Sequence, residues 1–461
     1  MGQSIAALDL GTSKSSAIVA KKELGGKFSI SRIEKLPSKN AIRRGRIYNS
    51  EEVSEIISRL IRNLNSNPDT MQVEKFYVGI GGQSLHTHLF EVERPIDGGT
   101  INQPLLDSIE EEAKNYTPDF EENLGVASRE YYADGHWAQN PKGTIASVIK
   151  ARYQLIVGNP SLKRNLKTVL NNKGVSVVDY FISPLATAEA ALTSEEKESG
   201  CALIEFGEGV TYVSVYKNKA LKYMATLPIG GLAITKDIRS LNVSENEAET
   251  LKIEHGSALS ESTAGSDVFS ISDGSNALRT IERKELNRII EARVNEIIKN
   301  VWSQIQNSGY AQALNAGIVI TGGGALLRDL PQYIRNETGK EVRLADAKAW
   351  INPADKSLSP ADSCVIGLAM QGKENCVKEP ITADKEKEPT IFKDEEVESV
   401  KPEDKKPKKP GDDKKPVKPH GPGIIKKGWN NIKDLFQEVA DNVLDEAESD
   451  NNKEDNTANK Q

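Results

Sequence analysis

Short apolar runs alternate with longer amphipathic stretches from residue 1 to about residue 372. Runs such as Ile5-Ala6-Ala7-Leu8 have the continuity of buried strands, whereas the stretch from Arg283 to Ser308 reads as a helix. The alternation predicts α/β or α+β material. Ile5 to Ala20 reads as strand, glycine turn, strand, and Cys201 to Tyr216 repeats that plan. Such a pseudo-repeat predicts two similar lobes facing each other across a cleft. A chain of 461 residues is too long for one core, in keeping with that division.

The pattern stops after Gly372. From Lys373 to Gly421 the chain is dominated by Lys, Glu, Asp and Pro, with too few apolar residues to form a core, so a disordered linker is expected over 373–421. A flexible coil of this length would hold its ends roughly 40 Å apart. Helical periodicity returns near Gly423, where Ile425, Trp429, Ile432, Leu435, Phe436, Val439 and Val443 fall on one face. Trp429 and Phe436 suit a membrane interface, and Lys426, Lys427 and Lys433 can meet anionic headgroups. The segment 422–445 is therefore predicted to be a membrane-targeting amphipathic helix, followed by a polar tail over 446–461. Docking against the globular body or a partner helix would cover the same stripe. One such helix binds a bilayer weakly, so stable attachment would need several copies.

Composition narrows the function classes. Hydrophobic residues make up 37% and charged residues 28%, which suits a globular body with a polar tail. The net charge of −7 argues against general nucleic-acid binding, which needs a basic footprint. No apolar run reaches the length of about 20 residues that spans a bilayer. The start, Met1-Gly2-Gln3-Ser4, lacks a basic n-region and an apolar h-region, so a cytosolic protein is expected. Cys201, Cys364 and Cys376 form no CxxC pair, and His86-Thr87-His88 reads as two strand histidines rather than a zinc site.

Three segments could carry chemistry. In Asp9-Leu10-Gly11-Thr12-Ser13-Lys14 a carboxylate ends a buried strand and a small-residue turn follows. Glycine lets backbone N–H groups approach a phosphate, and the hydroxyls and lysine add donors and charge. An ordinary hairpin with a polar turn would read the same way. Glu205-Phe206-Gly207-Glu208-Gly209-Val210-Thr211 sets a second carboxylate at the equivalent place, which is harder to assign to chance. Ile318-Val319-Ile320-Thr321 runs into Gly322-Gly323-Gly324, and a helix is expected directly after them, presenting free N–H groups and a positive dipole end. There is no G-x4-G-K-[ST] loop, and Gly79-Ile80-Gly81-Gly82 does not complete G-x-G-x-x-G.

The two hairpins and the triple glycine resemble the phosphate-1, phosphate-2 and adenosine motifs of the actin/Hsp70/hexokinase superfamily. Within it, Val78-Gly79-Ile80-Gly81-Gly82, Pro228-Ile229-Gly230-Gly231, Ala248-Glu249-Thr250-Leu251-Lys252 with Gly256, and the tail with its amphipathic helix resemble the bacterial cell-division family FtsA. The resemblance covers nearly all of 1–372 plus 423–444. It implies a two-lobed actin-like ATPase fold of α/β class with an inserted FtsA-type subdomain. The first-lobe core would occupy 1–83, 166–198 and 361–372, and the insert 84–165. The second-lobe core would occupy 199–235 and 309–360, with a small subdomain at 236–308.

The same resemblance implies ATP with Mg2+ between the lobes. Asp9, Gly11, Thr12, Ser13 and Lys14 would meet the phosphates from one side, and Glu205, Gly207, Gly209 and Thr211 from the other, with Gly230 and Gly231 nearby. Glu249 and Lys252 would lie near the ribose and base, and Gly322, Gly323 and Gly324 beside the nucleoside. Read without the family, Glu249 and Lys252 are an ordinary helix pair. The second hairpin departs from the family, with Glu205 for the usual Asp, Glu208 for a Gly and Val210 for a Thr. A carboxylate a few ångströms from phosphate would repel by about 1 kcal/mol in water-like surroundings and roughly 4 at a surface-like dielectric. Nucleotide binding with slow or absent hydrolysis is therefore expected. The family further implies filaments of the chain itself, attachment of FtsZ through its C-terminal peptide, later division proteins as partners, and a peripheral place on the cytoplasmic face of the membrane at the division site. Arg293 and Lys299 are the candidate contacts for the acidic FtsZ peptide. A small-molecule kinase, an Hsp70-like chaperone and a pilus-assembly protein share the superfamily. The kinase lacks an identifiable catalytic carboxylate, the chaperone lacks a folded substrate domain, and the pilus protein would lack the terminal helix.

Overall fold

The computed structural model describes residues 3–378 apart from 24–26, 39, 68–70, 97–98, 262–267, 273–277, 346, 348–350 and 352–357. The amphipathic helix expected at 422–445, with Ile425 through Val439, and most of the charged linker lie outside the described residues.

Two five-stranded sheets form the centres of two lobes. In the first, the order across the sheet is Ser176–Ile182, Lys75–Ile80, Ser4–Leu10, Lys14–Lys22, Phe28–Pro37. In the second it is Val342–Leu344, Ile318–Thr321, Cys201–Phe206, Thr211–Lys217, Ala220–Leu227. Each sheet is an antiparallel three-strand meander extended, on the free side of its first strand, by two successive parallel strands. The pseudo-repeat read from sequence is therefore a repeat of topology. Central strands covered on both faces need continuous apolar runs. Ile5, Ala6, Ala7 and Leu8 in one lobe, and Ile318, Val319 and Ile320 in the other, are buried accordingly.

Helices cover the sheets through apolar stripes. Ser50–Leu64 begins at Asn49, whose side chain accepts from the Glu51 and Glu52 amides, and buries Val53, Ile56, Ile57, Leu60 and Leu64. Arg283–Asn307 buries Leu286, Ile290, Val294, Ile297, Ile298, Val301 and Ile305 along its length. It packs against the helix Gly231–Ile238 and the strand Leu278–Glu282.

The stretch between the strand Lys75–Ile80 and the helix Ser161–Asn172 builds its own layer. His86–Pro95, Val148–Gly158, Glu122–Ala133 and His136–Ala138 form an antiparallel sheet, with Gln103–Asn115 on one face and Tyr153 at the centre of a separate core. This layer also holds the second lobe. Lys222, almost fully buried, pairs with Glu130, and the Thr226 and Ser128 hydroxyls donate to the carbonyls of Leu85 and Leu221, both at 2.6 Å. Among the described residues His86 and His88 join no metal-binding cluster; His86 faces Glu121, and His88 stacks on Tyr116.

Two boundaries differ from expectation. Ser161–Asn172 straddles the expected end of the insert at 165, yet Leu162, Leu166, Val169 and Leu170 belong to the first-lobe core. Residues 373–378, assigned to the linker, are folded: Val377–Lys378 pairs with Gln72–Val73, and the Cys376 amide donates to the Ser4 carbonyl at 2.8 Å. Buried Cys376 and Val377 account for this, as apolar side chains that a window of charged neighbours conceals.

Candidate functional site

The two hairpins meet at the base of a cleft of about 400 Å³ between the lobes. Asp9 sits across from Ser16 in one hairpin and Glu205 across from Tyr212 in the other, so the carboxylates occupy corresponding ends of corresponding strands. Both turns close alike, with the Gly11 amide donating to the Lys14 carbonyl at 3.1 Å and the Gly207 amide to that of Val210 at 2.9 Å. A Cβ at either glycine would stand 2.8 Å from that carbonyl oxygen, so larger residues would open the turns.

Of the residues expected from sequence, Asp9, Gly11, Thr12, Ser13, Lys14, Glu205, Gly207, Gly231, Glu249, Lys252, Gly322, Gly323 and Gly324 line this one cleft. Gly209, Thr211 and Gly230 do not. Gly209 packs against the Thr12 side chain, so the hairpin tips touch. Thr211 turns its hydroxyl to the Ile229 carbonyl at 2.8 Å. Gly230 caps the helix Gly231–Ile238, whose first amides bond back to the hairpin, Gly231 to Gly207 at 3.0 Å and Leu232 to Glu208 at 2.9 Å.

The glycine-rich junction differs in one respect. Gly322 leaves the strand at φ 88, a left-handed conformation, and the chain makes a single 3₁₀ turn, Gly323–Leu326. The α-helix starts only at Leu330, after Asp329 at φ 61. The strand end is fixed through the Thr321 hydroxyl, which lies within hydrogen-bond distance of the Ala345 and Pro360 carbonyls and of the Ser363 hydroxyl.

Glu249 and Lys252 are more than a surface pair. The Lys252 ammonium donates to Glu249 at 2.6 Å, to the Thr235 hydroxyl at 2.8 Å and to the Gly231 carbonyl at 3.0 Å, which ties two helices together beside the cleft. Sequence reasoning missed Phe206, Ile253, Leu326, Leu327 and Cys364 in the lining. Ile253 and Leu326 are large apolar side chains left exposed at its mouth, on separate elements, and no local pattern marks them as neighbours.

The carboxylates are electrostatically strained. Burial raises the Asp9 carboxyl above its usual range, against a thiol hydrogen bond from Cys364 at 3.3 Å and the charge of Lys14. Burial together with the nearby Asp9 pushes Glu205 up to about 8, although Thr187 opposes this, and Glu205 Oε2 has no hydrogen-bond partner among the described residues. Burial and Glu249 also raise Glu208, against Ser13 and Lys252. Glu208 thus lines the cleft.

A raised carboxyl takes up a proton on folding, so stability falls as pH climbs from the unfolded value of 4.5 towards about 8. Glu205→Gln is expected to flatten that fall. Melting temperature against pH for both proteins checks it; parallel curves would mean that Glu205 is ionised throughout.

Comparison with known proteins gives the family. A family model described as cell division protein FtsA matches residues 202–367. The cell division protein FtsA of Porphyromonas gingivalis (strain ATCC BAA-308 / W83) is 30% identical over 378 residues, which cover 80% of this chain and 78% of the relative. The chain belongs to the FtsA family. The FtsA of Neisseria meningitidis serogroup B is 28% identical over 370 residues, covering 79% and 89% of the two chains. FtsA of Escherichia coli (strain K12) is 26% identical over 384 residues, covering 80% and 90%. A solved structure titled PilM-PilN type IV pilus biogenesis complex superposes with a TM-score of 0.53 at 15% identity, covering 79% of this chain and 97% of that one. That likeness concerns the fold alone, and the fold is actin-like. Among the described residues no helix of this FtsA-family chain is long and apolar enough to cross a membrane.

On the outer helix of the second lobe, the two candidate peptide contacts differ. Lys299 is exposed. Arg293 is already engaged, by Asp237 at 2.5 and 3.0 Å and by Glu296 at 2.5 Å.

Proposed function

We propose that this FtsA-family protein binds ATP with Mg2+ in the interlobe cleft, assembles into filaments, and tethers FtsZ filaments to the cytoplasmic face of the membrane while recruiting later division proteins. The observation that carries the nucleotide reading is the pair of hairpins that face one cleft with a carboxylate at the same register in each. The residues fit the ligand. Small-residue turns leave room for phosphates, Ser13 and Lys14 supply donors, and exposed Ile253 and Leu326 offer apolar cover for a base. Asp9, Glu205, Glu208 and Glu249 surround the same space, so a polyphosphate would enter with a cation. The unpartnered Glu205 Oε2 suits a metal-bound water there. Mg2+ would neutralise phosphate charge. The chain's own part is to orient the phosphates and exclude water, and slow hydrolysis rests on Glu208, which lines the same cleft as a further carboxylate beside the phosphates.

Membrane attachment rests on the sequence at 422–445, and FtsZ recognition on exposed Lys299, with Arg293 joining only by exchanging its present partners. The test is co-sedimentation with anionic liposomes, with and without ATP, for the full chain and a version ending at Gly421, with phosphate release followed in the same tubes. The reading expects lipid pelleting of the full chain alone, strengthened by ATP, with little phosphate released. Pelleting of neither version removes the membrane tether, and fast steady-state release removes the slow-hydrolysis reading.

A further inference from the structure

Lys14, the lysine at the turn of the first hairpin, is bound to a carboxylate rather than held open to a phosphate. Its ammonium stands 2.6 Å from Asp362 Oδ1, and Lys35 holds Asp362 Oδ2 at 2.7 Å. The Asp362 side chain is wholly buried, whereas both lysines keep about a third of their surface exposed, at 29% and 31%. Burial works against ionisation of Asp362, but the two lysines outweigh it and hold the carboxyl below its usual range. Lys14 lines the cleft; Lys35 comes from the adjacent strand, opposite Ser16.

Asp362 also joins the lobes. It ends the turn Pro360–Asp362, whose Pro360 carbonyl accepts from the Gly322 amide at 3.3 Å and the Thr321 hydroxyl at 3.2 Å in the second lobe. The Ser359 amide and hydroxyl donate to Asp362 Oδ2 at 3.1 and 3.4 Å. The carboxylate thus has two kinds of support besides Lys14: one lysine and one serine.

We infer that Asp362 and Lys35 are positioning residues that form a latch on Lys14, withholding it from the cleft until a nucleotide polyphosphate draws it away. This rests on the nucleotide reading above. A buried carboxylate stripped of all its partners would oppose the exchange strongly. Lys35 and Ser359 lower that cost, because they still hold Asp362 Oδ2 after Lys14 leaves Oδ1. Lys35 therefore favours polyphosphate binding without touching the ligand, and Asp362 opposes it.

The two variants have opposite signs. Lys35→Met makes Asp362 depend on Lys14, and is expected to weaken binding of MgATP about fivefold, the worth of one modest ion pair. Asp362→Asn releases Lys14 and is expected to tighten MgATP by a similar factor. Adenosine, which lacks phosphate, should bind all variants equally. In a Lys14→Met background the Lys35→Met effect should vanish. Titration calorimetry of the full chain with MgATP and with adenosine reads all of this. A Lys35→Met effect that persists without Lys14 would reduce Lys35 to a general positive charge, and an equal change for adenosine would make it structural; either overturns the latch. Should Asp362→Asn not fold, the Lys35 cycle alone decides, since that side chain is partly exposed. A wild-type chain that binds neither ligand removes the nucleotide reading and the latch with it, an outcome distinct from the others.

Discussion

Glu208→Gly is expected to tighten MgATP binding about tenfold, the equivalent of roughly 1.4 kcal/mol. Glu208 lies at the turn of the second hairpin and lines the cleft, close enough to Ser13 of the first hairpin for a hydrogen bond. A phosphate chain between the hairpins must pass it. The full repulsion at a surface-like dielectric would be roughly 4 kcal/mol at contact. Two features cut it down: burial and Glu249 raise the Glu208 carboxyl above its usual range, which disfavours its charged form, and Lys252 compensates part of the charge. The lower end of the range is therefore the expected gain. Backbone relief does not contribute, because Glu208 is not among the residues with positive φ. Titration of wild type, Glu208→Gly and Glu208→Gln at two salt concentrations checks this. Glutamine should recover most of the gain, since the effect is charge. Unchanged affinity in both variants would mean that no phosphate approaches the second hairpin.

Gly367→Ala is expected to destabilise the folded chain by about 2 kcal/mol or more. Gly367 lies within the buried helix Ser363–Gln371, and a Cβ there would overlap the Ala186 carbonyl of the helix Ser183–Ala191. Alanine is the better helix former by about 1 kcal/mol, so intrinsic propensity argues for a gain. Overpacking costs about 1–3 kcal/mol and at times more, and the obstacle here is backbone, which cannot rotate away as a side chain could. The overlap should win. Separation of the helices would also shift Cys364 and Asp362 on the same segment, and with them the base of the cleft. Chemical denaturation compares the two proteins, and an alanine variant as stable as wild type would show that the helices can slide apart cheaply.

The local pattern of the chain determined the paired hairpins, the triple glycine at a strand end and the long helix Arg283–Asn307, because each is written in contiguous residues whose spacing reports burial. It also determined that Asp9 and Glu205 take equivalent places, since the same strand-turn-strand plan surrounds both. Only the tertiary structure decided which of those residues share the cleft. Gly230 and Gly231 are neighbours in sequence, yet one caps a helix behind the hairpin and the other faces the space. Nor could the helix after the triple glycine be dated from sequence, because Gly322 and Asp329 turn the chain through left-handed conformations that neighbouring packing selects. Asp362 had no signal at all. It stands 348 residues from Lys14 and 327 from Lys35, and an ion pair leaves no periodic trace in a sequence when its members meet only because the turn Pro360–Asp362 folds back onto the first sheet.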